Sequence, residues 1–61
     1  MITTLSEFVL RVHALEDVSD AYYVFEMQCD ESLRSLIYGL AGYNSNEPFR
    51  SAMHNMGFTS Y

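Results

Sequence analysis

The stretch of residues 21–29 constrains the fold of this chain more than any other, because it is apolar on nearly every side. Its apolar and polar positions alternate: Tyr23, Phe25, Met27 and Cys29 are separated by Glu26 and Gln28. A helix through these residues would have no clearly polar face, whereas alternation combined with aromatic and β-branched residues is typical of a half-buried strand. The pattern therefore predicts a strand.

The preceding segment, residues 7–14, allows two interpretations. Alternate positions are apolar, which predicts a second strand; these are Phe8, Leu10, Val12 and Ala14. The same region fits a helix, because Thr4 and Glu7 form a capping box and one side carries Leu5, Phe8, Val9, Val12 and Leu15. A lone strand leaves its backbone groups unpaired, so we expect residues 7–14 and 21–29 to form an antiparallel hairpin across residues 15–19.

Two helices are expected after the hairpin. Asp30 is placed to cap the first, with Glu31 in its first turn, an inner face of Leu33, Leu36, Ile37 and Leu40, and Gly42 at its end. Pro48 suits the first turn of the second, whose inner side carries Phe49, Ala52, Met53 and Met56. Gly57 suits a left-handed cap that returns Phe58 towards Met53.

The predicted fold class is therefore α+β: one domain over residues 1–61, with a two-stranded antiparallel hairpin followed by two helices. Residues 58–61 could add a short third strand. The alternative is an all-α bundle of three to four short helices. In one form of that alternative Ser19 caps a long helix whose apolar stripe is Tyr22, Phe25, Cys29, Leu33, Leu36 and Leu40.

The charge balance restricts the classes of partner. Eight acidic residues face three arginines and no lysine, which gives a net charge of −5. Three arginines are too few to neutralise a phosphate backbone. We therefore expect no direct nucleic-acid binding and no binding to an anionic membrane. No apolar run is long enough to span a bilayer, and the single cysteine is more typical of a reducing compartment. These features predict a cytoplasmic protein.

Residues suited to catalysis are present but not in a recognisable arrangement. Cys29 could act as a nucleophile with His13 or His54, yet no spacing forces these side chains together. Oxygen ligands at Glu16, Asp17 and Asp20 could be imagined around a cation with His13, but no glycine permits the sharp bend of such a loop. We therefore expect no enzyme activity, no metal site and no cofactor.

Partner binding is the function class that remains. A chain of 61 residues buries little apolar surface, so association with a partner would add to its stability. The expected binding residues are carboxylates and tyrosines; they are Glu16, Asp17, Asp20, Tyr22, Glu26, Asp30, Glu31 and Tyr38. They predict a module that inhibits or modulates a larger protein with a basic surface. A phage-encoded inhibitor of a host nucleic-acid-handling or defence enzyme, acting in the host cytoplasm, is one form. The alternative is an assembly subunit that self-associates as a homo-oligomer.

Overall fold

Four short α-helices form the fold in the computed structural model, which describes residues 1–42 and 46–58. They are α1 (Leu5–His13), α2 (Ala21–Gln28), α3 (Glu31–Gly39) and α4 (Pro48–Asn55), with a 3₁₀ turn, Val18–Asp20, before α2. Within the described residues there is no strand, only one isolated parallel bridge between Ile2 and Cys29. The predicted α+β fold with an antiparallel hairpin is therefore wrong, and the all-α alternative agrees with the structure.

The first predicted strand is helix α1, and its cap explains where the helix begins. The side chain of Thr4 accepts a hydrogen bond from the amide of Glu7 at 3.2 Å. Strand alternation would have buried Leu10, which is 70% exposed, and would have exposed Val9, which is half-buried. The buried set follows the helical period instead, and Phe8 and Val12 lie at its centre.

The second predicted strand is helix α2, and its buried positions show why. Ala21, Val24 and Phe25 are buried at helical spacing. Tyr23 and Met27, which the strand prediction placed inside, are 61% and 66% exposed. Helices satisfy their own backbone groups, while an isolated two-stranded hairpin is marginal in water. The physical reason for the error is that α2 tolerates large apolar side chains on its outer face.

The chain does not continue as one helix from Ser19 to Leu40, so that form of the all-α alternative is also wrong. Cys29 has extended backbone angles, φ −89° and ψ 147°, and the chain turns there. The amide of Ile2 donates to the carbonyl of Gln28 at 2.7 Å, and the amide of Asp30 donates to the carbonyl of Ile2 at 3.0 Å. The N-terminal segment therefore forms backbone hydrogen bonds with the turn between α2 and α3. Asp17, rather than Ser19, caps the 3₁₀ turn, because its side chain accepts from the amide of Ser19.

Helix α3 begins as the sequence predicts. Oδ1 of Asp30 accepts a hydrogen bond from the amide of Leu33 at 2.8 Å. Leu33 and Ile37 are buried and Leu40 packs against the core, whereas Leu36, predicted to face inward, is exposed. The helix ends at Gly39, and Gly42 follows with a φ of +86°.

Helix α4 also follows its sequence signals. Pro48 lies in its first turn, and Phe49, Ala52 and Met53 are buried. Gly57 has a φ of +101°, which lets its amide donate to the carbonyl of His54 and the amide of Phe58 donate to the carbonyl of Met53. This is the predicted left-handed cap, and it brings Phe58 into the core.

One core joins all four helices. It consists of Ile2, Phe8, Val12, Ala21, Val24, Phe25, Cys29, Leu33, Ile37, Phe49, Ala52, Met53 and Phe58. Nδ2 of Asn55 donates to the carbonyl of Leu40 at 2.8 Å and so ties α4 to the end of α3. Phe58 is not in a strand, and the rest of the predicted third strand, residues 59–61, lies outside the described residues, as do residues 43–45 of the predicted connection. None of the helices described is both long and apolar enough to cross a membrane.

Candidate protein-binding site

Tyr22, Glu26 and Tyr38 form a surface cluster between α2 and α3, which we call the tyrosine cluster. Tyr22 and Glu26 are one turn apart on α2, and this spacing places their side chains together on one helix face. Tyr38 comes from α3. A hydrogen bond with the Glu26 carboxylate raises the pKa of Tyr22, and a further hydrogen bond with Tyr38 acts in the same direction. Three of the predicted binding residues therefore converge on one surface.

The two tyrosine rings of the cluster are held from beneath by phenylalanines of the core. The ring of Tyr22 meets that of Phe49 edge-on at 5.1 Å and lies 5.7 Å from that of Phe25. The ring of Tyr38 meets that of Phe25 edge-on at 5.0 Å, and the rings of Phe25 and Phe49 are 4.8 Å apart. Such edge-on pairs are favourable and fix ring orientation. The tyrosines are still 44% and 41% exposed.

The acidic residues of the α1–α2 connection form a separate group. Glu16, Asp17 and Asp20 are all exposed. The hydrogen bond from the backbone amide of Ser19 is the main cause of a lowered pKa at Asp17, and a hydrogen bond from the Ser19 side chain acts in the same direction. This carboxylate therefore stays charged over a wide pH range. Glu16 and Asp17 line an open cleft of about 470 Å³ together with His13 and Phe58. The rings of His13 and Phe58 lie 4.8 Å apart.

The two remaining predicted residues lie at the start of α3 and differ in what they can contribute. Asp30 is half-buried, and its side chain already accepts the hydrogen bond that caps α3. Glu31 is exposed in the first turn, where a negative charge is favourable. Arg34, the nearby cation, is half-buried and donates to the carbonyl of Cys29 at 2.6 Å. Asp30 and Arg34 are thus engaged within the fold, whereas Glu31 is available to a partner.

The strand interpretation led us to miss exposed residues beside the predicted ones. Tyr23 and Met27 lie on the outer face of α2. Leu36, which the helix prediction had placed inward, is also exposed, on α3. A helical period applied to residues 21–28 would have revealed the first two, because they fall opposite Ala21, Val24 and Phe25. The outer side of α2 is therefore both aromatic and acidic.

The residues considered for catalysis come from different elements of the fold. Over residues 1–42 and 46–58, no three or more His, Cys, Asp or Glu side chains are grouped so that they could hold a metal ion. Cys29 is buried, and burial raises the pKa of its thiol, which disfavours the nucleophilic thiolate. His54 is exposed on α4.

Comparisons with protein-family models, with curated proteins and with solved structures found no match to this chain.

Proposed function

We propose that this chain is a small acidic protein-binding module that inhibits or modulates a larger protein with a basic surface. The observation that carries the proposal is the tyrosine cluster, in which two oriented and exposed tyrosines flank a carboxylate. Tyrosine is enriched among residues that dominate interface energies, because its ring contributes contact area and its hydroxyl a hydrogen bond. Rings already held by Phe25 and Phe49 lose little further freedom on binding.

Charge supports a basic partner. The net charge is −5, and the three carboxylates of the α1–α2 connection are exposed. Such a surface accelerates encounter with a positively charged protein, and salt weakens the effect. A narrower form of the proposal is a phage-encoded inhibitor of a host nucleic-acid-handling or defence enzyme, because clustered carboxylates can occupy a channel that binds phosphates.

The test starts from capture of partners with the immobilised chain from extract of its native host cell, followed by mass spectrometry. The captured protein is then produced pure and titrated calorimetrically with single variants. Glu26→Arg reverses the charge within the tyrosine cluster, and the triple variant of Glu16, Asp17 and Asp20 to Arg reverses the acidic connection. We expect each reversed charge to weaken binding several-fold, and more strongly at low salt.

Glu47→Arg is the matched control, since it makes the same charge change at an exposed position before α4, outside both groups. Binding to the captured protein should tolerate it better than Glu26→Arg. Affinity that is unchanged after Glu26→Arg and after the triple reversal would refute the proposal. An equal loss per reversed charge in all three variants would also refute it, because the effect would then come from net charge alone.

A further inference from the structure

Exposed apolar side chains surround two residues of opposite charge, Glu7 and Arg11, on the outer side of α1. Met1, Leu10 and Met27 are 91%, 70% and 66% exposed. Glu7 and Arg11, both exposed, line an open cleft of about 390 Å³ together with Met1, Ile2, Met27 and Gln28. Leu10 is three residues from Glu7 and therefore lies beside it on the helix surface. Around the helix, Glu7 lies between Leu10 on one flank and Arg11 on the other. We call this surface the α1 face.

We propose that the α1 face binds a second copy of this chain, so that a two-fold symmetric dimer forms with the two α1 helices antiparallel. Symmetry and charge together specify this geometry. A two-fold axis that crosses α1 midway between Glu7 and Arg11 places Glu7 of one copy opposite Arg11 of the other, and the same contact occurs twice. A two-fold axis along α1 would instead oppose Glu7 to Glu7 and Arg11 to Arg11, which is repulsive.

The apolar side chains fit the same antiparallel arrangement. A two-fold axis perpendicular to α1 reverses the helix direction but does not exchange the two flanks of the α1 face. Leu10 of one copy therefore contacts Leu10 of the other. Met27 and Met1 then meet the same residues on the other flank. Methionine is flexible and adapts to an irregular contact, which suits a face that must pack on itself. The dimer would remove from water three large apolar side chains that are otherwise exposed.

The α1 face is independent of the proposed function, because Glu26 and the two tyrosines of the cluster take no part in it. Sedimentation equilibrium of the isolated chain over a wide concentration range tests it directly. We expect a reversible monomer–dimer equilibrium. Leu10→Glu should make the chain monomeric, whereas Leu36→Glu, the same change at an exposed leucine of α3, should leave the dimer intact.

Charge reversals test the geometry. Glu7→Arg and Arg11→Glu should each weaken dimerisation about tenfold, since each turns two attractions into two repulsions. The double variant restores opposite charges across the axis and should dimerise nearly as well as the parent chain. Circular dichroism and thermal unfolding of every variant separate dimer loss from loss of the fold. A chain that stays monomeric at all concentrations would overturn the proposal, as would a dimer insensitive to Leu10→Glu or a double variant no better than the single reversals.

Discussion

Ile2 lies in a parallel backbone bridge with Cys29, and both side chains are buried in the same core. Two hydrogen bonds join the N-terminal segment to the turn between α2 and α3, at 2.7 Å and 3.0 Å. The side chain of Arg34 donates to the carbonyl of Cys29 from the other helix. The junction of α2 and α3 is therefore stabilised by a residue near the start of the chain and by the helix that follows the turn.

Ile2→Ala should lower the free energy of unfolding by about 2–4 kcal/mol, because it removes a buried side chain and leaves a cavity. Thr3→Ala, the same truncation at the neighbouring exposed position, should change it by less than about 0.5 kcal/mol. Urea denaturation followed by circular dichroism measures both. Equal stability of the two variants would mean that the N-terminal segment contributes nothing to the core.

Alanine at two different glycines should have opposite effects on stability. Gly57 has a φ of +101°, which L side chains rarely adopt, so Gly57→Ala should destabilise the fold by about 1 kcal/mol or more. Gly39 is helical, and a methyl group there meets nothing within 4 Å. Gly39→Ala should therefore raise stability by about 0.5 kcal/mol. Thermal unfolding would contradict this pair of predictions if both variants shifted the midpoint in the same direction.

The cap of α3 can be tested by substituting Asp30. Asp30→Ala removes the acceptor for the amide of Leu33 and should cost about 1 kcal/mol of unfolding free energy. Asp30→Asn retains a side-chain oxygen and should retain most of the stability. Chemical denaturation distinguishes the two. If asparagine were as damaging as alanine, the negative charge rather than the hydrogen bond would be the important property.

Tyr22 should ionise above the ordinary tyrosine pKa of 10.0. The main cause is its hydrogen bond with the Glu26 carboxylate. A raised pKa favours the protonated phenol in the folded state, so this contribution to stability is complete below pH 10 and is lost as the pH rises through the folded pKa. Glu26→Gln should shift this titration downwards. Ultraviolet absorbance of phenolate, with Tyr22→Phe to assign the signal, measures it. An unchanged curve in Glu26→Gln would show that the carboxylate is not the cause.

Cys29 should resist thiol reagents while the chain is folded. It is buried, and burial raises the pKa of its thiol, so both access and thiolate population are low. Reaction with a disulfide reagent should therefore be slow in native buffer and fast in denaturant. Labelling that is equally fast in both conditions would mean that the junction of α2 and α3 opens freely.

The local signals at two helix ends were predictable from sequence because they involve residues only a few positions apart. Asp30 and Gly57 act on their own turns, so their short-range patterns predicted the start of α3 and the end of α4 correctly. The Thr4 cap of α1 was recognised only within the helical interpretation that was not chosen. The approximate inner faces of α3 and α4 followed from the helical period. Tyr22, Glu26 and Tyr38 were identified as surface residues, but the pattern placed Tyr22 and Glu26 on a strand.

Only the tertiary structure decided whether residues 7–14 and 21–29 are strands or helices. Both periods fit these apolar runs, and burial selects between them: Val9 and Val24 pack inward while Leu10, Tyr23 and Met27 remain outside. The bridge from Ile2 to Cys29 and the meeting of Tyr22 with Tyr38 join residues distant in sequence. The sequence alone determined the caps and the acidic charge, whereas packing of all four helices determined which side chains are buried and which converge on the surface.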